Sequence, residues 1–174
     1  MKTSNRRALK IKLNGTVSNH GDAIKKNRKS GDVVIVERGS LRSLVCMCPC
    51  GCAEQITINL DIRTGKAWKM YRKVKGMSLY PSVWRDSGCK SHFIIWNNRV
   101  LWLDDDWWFE EDNIVEITKR ILPLFTPDEF IHFRDIAESI EEIPWSVLRS
   151  CRELVNQGII IEGEDEMKGF YRKI

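Results

Sequence analysis

The sequence predicts an α+β fold in two parts: a small antiparallel β-domain followed by a winged-helix-like α/β domain. Three observations predict it. Short runs rich in Val, Ile and aromatic residues crowd positions 32–102, the pattern of strands separated by Gly, Asn and Ser turns. From residue 114 the apolar spacing becomes helical. Between the two lies "DDDWWFEED" at 104–112, with six acids and no base, a composition break that marks a boundary.

Taken in order, residues 1–30 are polar and basic and end in "KKNRKSG". They are expected to form a flexible basic arm with one early strand at Ala8–Leu13. The β-domain is placed at 31–103, built from "DVVIVERG", "SLRSLVC", "EQITINLDI", "AWKMYRKV", "SHFIIW" and "RVLWL". In Gln55–Leu60 the alternation puts Ile56, Ile58 and Leu60 on one face. "IIWNNRVLW" reads as a hairpin with Asn97-Asn98 as its two-residue turn. Trp68, Trp84, Trp96 and Trp102 are expected in the core of the sheet. Residues 104–112 form an acidic aromatic linker, expected to strap back over the basic half.

The winged-helix-like domain is placed at 113–174. "NIVEITKRILPLF" carries Ile114, Ile117, Ile121 and Leu124 on one stripe. "TPDE" at 126–129 signals a helix start, with Thr126 as cap and Pro127 in the first turn. "FRDIAESI" reads as a short helix and "PWSVLRSCRELVNQG" as a longer one stopped by Gly158. Two strands, "IIIEG" and "GFYRKI", close the chain around the charged tip "EDEMK". Three helices followed by a hairpin is winged-helix order.

At 174 residues and 43% hydrophobic, the chain is long enough to bury a real core. No stretch approaches the ~20 apolar residues of a membrane span, and the basic N-terminus lacks the apolar run of a secretory signal. A cytoplasmic location is expected, where cysteines are kept reduced. The net charge of +4 hides an asymmetry: +14 over residues 1–103, −6 over 104–112 and −4 over 113–174. Such a basic half suits nucleic acid, an acidic partner protein or the acidic half of the same chain.

The densest chemistry is "CMCPCGC" at 46–52, four of the six cysteines in seven residues. Reduced cysteines this crowded favour a metal. Zinc takes four ligands at tetrahedral corners, supplied in close pairs from separate loops. Cys48, Cys50 and Cys52 offer the first pair, with Pro49 and Gly51 letting the backbone turn tightly. "GCKSHF" offers the second, since Cys89 and His92 stand three apart as in a zinc knuckle. One zinc is therefore expected on Cys89, His92 and two of Cys48, Cys50 and Cys52, stapling a small β-domain. Plain buried cysteines, and a site that takes part in chemistry, are the competing readings. Cys46 continues a strand and is the weakest ligand candidate; Cys151 lies mid-helix and is expected in the core.

At these residues a resemblance enters. "CPCGC" (48–52), "LYPSVW" (79–84) and "GCKSHFIIWNNRVLW" (88–102), in that order, resemble a bacterial zinc-site domain family of unknown function, over about residues 30–103. Its members look like small β-rich proteins encoded beside ubiquitin-like proteins and their activating and conjugating enzymes, in gene sets associated with phage defence. The resemblance implies a partner in a ubiquitin-like protein or its conjugating machinery, and a role in processing or removing that modifier.

Three arrangements of residues would support such a peptidase. Ser82, on the turn-forming Pro-Ser of "LYPSVW", is a candidate nucleophile with His92 as its base, provided that His92 is not a zinc ligand. A zinc-bound water would instead need an open coordination position and a carboxylate base, for which Glu54 is nearest in sequence. One of the CPCGC cysteines is the third candidate nucleophile. The plainer expectations are that Ser82 is a turn hydroxyl and Glu54 a solvent-facing strand residue. A non-catalytic, zinc-stapled adaptor is the alternative function.

In the C-terminal part the expected third helix carries Arg149 and Arg152 against Glu153, and the tip carries Glu164, Asp165 and Glu166. Phosphates would repel such a tip. A protein partner is therefore expected there, with weak or no specific nucleic-acid binding and no membrane. The only DNA-favouring feature is the basic cluster Lys25, Lys26, Arg28 and Lys29.

Overall fold

The structure, a computed structural model, describes residues 7–103 and 114–174. The chain divides into two compact units, Met1–Trp107 and Trp108–Ile174. The acidic linker at 104–112 lies outside the described residues.

In the first unit β1 (Lys12–Val17), β2 (Asp32–Glu37), β3 (Leu41–Met47) and β4 (Gln55–Asn59) form one sheet in that order. β2, β3 and β4 are antiparallel neighbours, but β1 pairs with β2 in parallel. Parallel neighbours need a crossover, and α1 (His20–Lys26) provides it. Asn19 caps α1 by accepting from the Asp22 N–H, and Lys25 and Lys26 occupy its last turn, where cations suit the helix dipole.

Residues 7–30 are thus no loose arm, and the early strand lies at Lys12–Val17 rather than Ala8–Leu13. Ile11 is buried in the core, and Lys12 N–H bonds the Gly31 carbonyl. The Asp32 carboxylate receives the Arg28 and Lys29 amides at 3.0 and 2.9 Å. The backbone passes so close at Gly31 (φ +84°) that a Cβ there would lie 2.7 Å from the Lys10 carbonyl oxygen. The exposed lysines and arginines dominate the composition and conceal this anchoring.

β2 is buried on both faces, which explains its unbroken "DVVIV". One face meets the main core and the other lies under α1, where Val34, Val36 and Val45 enclose Ala23. Two further sheets complete the unit: β5 (Lys69–Lys73) with β6 (Gly76–Tyr80), and β7 (Val83–Trp84), β8 (His92–Trp96) and β9 (Arg99–Trp102) in that order. Asn97 and Asn98 have φ of 50° and 63°, as a two-residue hairpin turn requires.

The main core draws on all three sheets, through Ile35, Leu44 and Ile58, then Met77 and Leu79, then Phe93 and Ile95. Trp96 and Trp102 are buried and Trp68 packs against this core. Trp84 does not join them: it is 69% exposed.

In the second unit α2 (Ile114–Ile121) buries Ile117 and Ile121. β10 (Ile131–His132) leads into α3 (Phe133–Ser139), then α4 (Pro144–Asn156), β11 (Ile160–Glu162) and β12 (Phe170–Lys173). The three strands form a sheet in the order β10, β12, β11. The helix start expected at Thr126 is displaced. Ile131 pairs with Tyr171 and His132 with Phe170, and the Thr126 carbonyl accepts from Lys173 N–H. Sheet pairing outweighs the local signal, and α3 begins after His132, whose Nδ1 accepts the Arg134 N–H at 3.1 Å. α4 ends ahead of Gly158, which has φ +70°. Among the described residues no helix is long and apolar enough to cross a membrane.

Candidate active site and metal centre

The connection from β3 to β4 folds the cysteine run into a tight loop. Cys48 N–H bonds the Glu54 carbonyl at 2.8 Å and Gly51 N–H bonds the Cys48 carbonyl at 3.2 Å. Positive φ at Gly51 (88°) and Ala53 (61°) turns the chain back on itself. A second loop, ahead of β8, turns at Gly88 and Lys90 (φ 64° and 52°) and presents Cys89.

The thiols of Cys48, Cys50, Cys52 and Cys89 all lie within 4.8 Å of one another. Cys48 Sγ is 3.2 Å from Cys50 Sγ and 3.8 Å from Cys89 Sγ. Thiolates at about 2.3 Å from a tetrahedral ion stand about 3.8 Å apart. These four are close enough to hold a metal ion.

The surroundings suit anionic sulfur. Ser91 Oγ stands 3.4 Å from Cys48 Sγ and 3.2 Å from Cys89 Sγ. Arg85 Nη1 approaches Cys89 Sγ at 3.3 Å and Cys52 Sγ at 3.9 Å. Burial opposes ionisation of Cys89, but the hydrogen bonds from Ser91 and its neighbouring thiols outweigh it and bring the group down to about 6. Burial pushes Cys50 and Cys52 the other way. Cys46 is outside the cluster, fully buried on β3, and burial pushes its thiol up to about 12. Cys151 is fully buried in α4, with its thiol likewise pushed up.

His92 does not join the thiols. Side chains alternate along a strand. Ser91, at the entry to β8, turns inward to the sulfurs, and His92, one residue later, faces the other side. There it meets the turn of "LYPSVW", which contains the cis Tyr80–Pro81 peptide bond. Ser82 Oγ and His92 Nε2 are 3.0 Å apart. The ladder explains the meeting. Trp84 on β7 stands opposite His92 on β8, and Ser82, two residues before Trp84, shares its face. The Trp84 and His92 rings are 5.9 Å apart, and Trp68 Nε1 holds the Ser82 carbonyl at 3.2 Å.

The sequence-predicted residues therefore sort into two groups: Cys48, Cys50, Cys52 and Cys89 in one, Ser82 and His92 in the other. Glu54 goes with the first, where its carboxylate pairs with Arg85 and lies 3.9 Å from Cys52 Sγ. Sequence reasoning gave no role to Arg85 or to Ser91's contact with the thiols. No spacing rule marks a residue that supports a ligand from another loop. Beside His92 opens a pocket of about 280 Å³ lined by Arg7, Cys50, Cys89, Lys90, Ser91, His92, Trp102 and Leu103. Arg7 lies over the Trp102 ring at 4.6 Å.

Residues 20–103 match the model of a family described as bacterial ubiquitination-like system serine protease (BubE). That span holds every residue of both groups, and the match associates this part of the chain with a bacterial ubiquitination-like system. No curated protein and no solved structure matches the chain.

Proposed function

We propose that the first unit is a zinc-stapled serine peptidase that processes or removes the ubiquitin-like modifier of such a system, in the manner of a deubiquitinase. The observation that carries this reading is the 3.0 Å approach of Ser82 Oγ to His92 Nε2. Support comes from the sorting of the sulfurs: four thiols complete a tetrahedral set without His92, leaving the imidazole for Ser82.

Zinc suits four thiolates, and such a set leaves no open position for a water. The ion would bind Cys48, Cys50, Cys52 and Cys89 and supply folding free energy rather than chemistry. Glu54, already paired with Arg85, has no metal-bound water to deprotonate in this scheme.

The chemistry falls to Ser82 and His92. Neutral His92, with its own proton on Nδ1, accepts the Ser82 hydroxyl proton at Nε2 as Oγ attacks the scissile carbonyl carbon. Collapse of the tetrahedral intermediate breaks the C–N bond, and the amine leaves with the proton from Nε2. Water, giving a proton to the same nitrogen, then attacks the Ser82 ester. The carboxylate product departs, and the Nε2 proton returns to Oγ.

The decisive experiment incubates the protein with a C-terminally extended precursor of the ubiquitin-like protein of its own system and follows mass. Cleavage is expected, lost in Ser82→Ala, with a serine-directed fluorophosphonate labelling Ser82. Cleavage indifferent to Ser82→Ala would reject the assignment. Tight binding without cleavage would favour the non-catalytic adaptor.

For the second unit we propose docking of a protein partner. Its helix and strand order is that of a winged helix, but Glu164, Asp165 and Glu166 are exposed at the tip. Arg149 on α4 is drawn to Glu153 at 3.5 Å and its side chain is only 17% exposed. A duplex would meet repulsion at the tip and a paired arginine on the helix.

A further inference from the structure

Trp84 stands apart from Trp68, Trp96 and Trp102, the other described tryptophans of its unit. It is 69% exposed on the two-residue edge strand β7, two residues after Ser82 and opposite His92. Burial of a tryptophan is worth more than that of almost any other side chain, so its position in the open beside the Ser82–His92 pair calls for an explanation.

The register gives one. In an antiparallel ladder, pairs that exchange hydrogen bonds alternate with pairs that do not. Arg85 N–H donates to the Ser91 carbonyl at 3.0 Å, so the next pair, Trp84 with His92, is of the second kind. Its backbone groups point away from each other. On the His92 side this is visible: the His92 carbonyl accepts from Leu103 N–H at 3.2 Å, beyond β9. On the Trp84 side the N–H and C=O are therefore directed to the outer edge of the sheet, where, among the described residues, order β7, β8, β9 places no further strand.

An exposed aromatic face and an outward pair of backbone groups on one residue suit a single kind of occupant, an added extended strand. The same edge at Ser82 is closed, because the Ser82 carbonyl already holds Trp68 Nε1. Pairing is thus open at Trp84, two residues from the nucleophile.

We infer that Trp84 is the substrate-positioning residue of this site. It receives one residue of an extended polypeptide tail, whose N–H and C=O bond the Trp84 backbone and whose side-chain face lies on the indole, and so sets the scissile bond at Ser82. This inference rests on the peptidase reading. It specifies the substrate as an unstructured tail threaded along β7 rather than a helix or a rigid folded loop.

The test uses the full chain as Ser82→Ala and a peptide that spans the C-terminal tail and processing point of the ubiquitin-like precursor. Binding is measured by titration calorimetry with a series of peptides, each N-methylated at one position. Strand addition predicts one position where N-methylation weakens binding about tenfold, the effect of losing one hydrogen bond, and little change elsewhere. The active enzyme provides the second arm. Trp84→Ala should raise KM about tenfold or more with the pocket otherwise intact, and Trp84→Phe should restore most of it. A flat N-methyl series, or a Trp84→Ala enzyme with unchanged KM, would overturn the inference even while Ser82→Ala remains inactive. Loss of the peptidase reading would show differently, as cleavage that persists in Ser82→Ala.

Discussion

Cys89 and His92 are three residues apart and serve two different sites. The loop that ends at Cys89 joins a cluster of four sulfurs closed on itself, while His92, the first residue of β8, faces the opposite side and meets Ser82. In the sulfur corner all four thiols lie within 4.8 Å of one another, an arrangement that gains by being rigid. The Ser82 corner is bordered by the exposed Trp84, and gains by being reachable. The difference between them is one step of strand alternation at Ser91–His92. In this domain the four-thiol cluster and the Ser82–His92 pair are neighbours that share no residue.

The largest expected effects separate the two corners. Cys89→Ser should remove the metal and unfold much of the first unit, since binding to structural thiolate sites is worth roughly 10–16 kcal/mol in small domains. A strong chelator should likewise lower the melting temperature by many degrees, while Cys46→Ser and Cys151→Ser should leave metal content unchanged. Elemental analysis and thermal melts check this. Ser82→Ala should do the reverse: unchanged metal and melting temperature, with turnover down by at least ~10³-fold, the scale of loss when a serine peptidase is stripped of its nucleophile.

A smaller effect tests the boundary between the corners. Glu54 pairs with Arg85 from a half-exposed position, so Glu54→Gln should cost no more than about 1 kcal/mol and leave kcat within about twofold. A loss of turnover comparable to that of Ser82→Ala would mean that the carboxylate acts in the chemistry.

The smallest effect lies in the second unit and serves as a control that involves no residue of either corner. The His132 ring lies tilted against Phe133 and edge-on to Phe170, with centroids at 4.6 and 4.7 Å, and caps α3 through Nδ1. Burial, reinforced by Arg134, holds its pKa below the ordinary 6.5. A histidine whose folded pKa is depressed favours the neutral folded state. Its contribution is complete above the unfolded value and is lost as pH falls through the folded one. A shallow loss of stability below about pH 6.5, absent in His132→Asn, is expected in denaturant titrations, with zinc content and Ser82 reactivity measured at neutral pH unaffected.

Much of this was legible in the sequence because alternation and turn residues are local. "IIWNNRVLW" announced its hairpin, Ile56, Ile58 and Leu60 their common face, and Gly158 the end of the last helix. Cys48, Cys50, Cys52 and Cys89 were legible as candidate ligands for the same reason, being crowded and spaced for a turn, though only two of the first three were expected to serve beside Cys89 and His92, and the structure gathers all four thiols. What failed was non-local. The anchoring of Ile11 and Gly31 depends on contacts with chain that the basic side chains mask. The start of α3 was displaced by pairing with β12, some forty residues on in the sequence. His92 looked like the partner of Cys89 because spacing cannot tell which face of the next strand a residue takes. The bond to Ser82 could be entertained from the sequence only as an alternative to metal binding.

Whether four sulfurs complete the metal set and leave His92 to Ser82 is decided by one pair of readings on one preparation. His92→Ala is purified without chelator, and its zinc content and its cleavage of the ubiquitin-like precursor are measured against the unaltered protein. One zinc per chain is expected in both proteins, with cleavage present in the unaltered chain and lost in the variant. A variant that loses its zinc together with its activity would place His92 in the metal set and contradict the account.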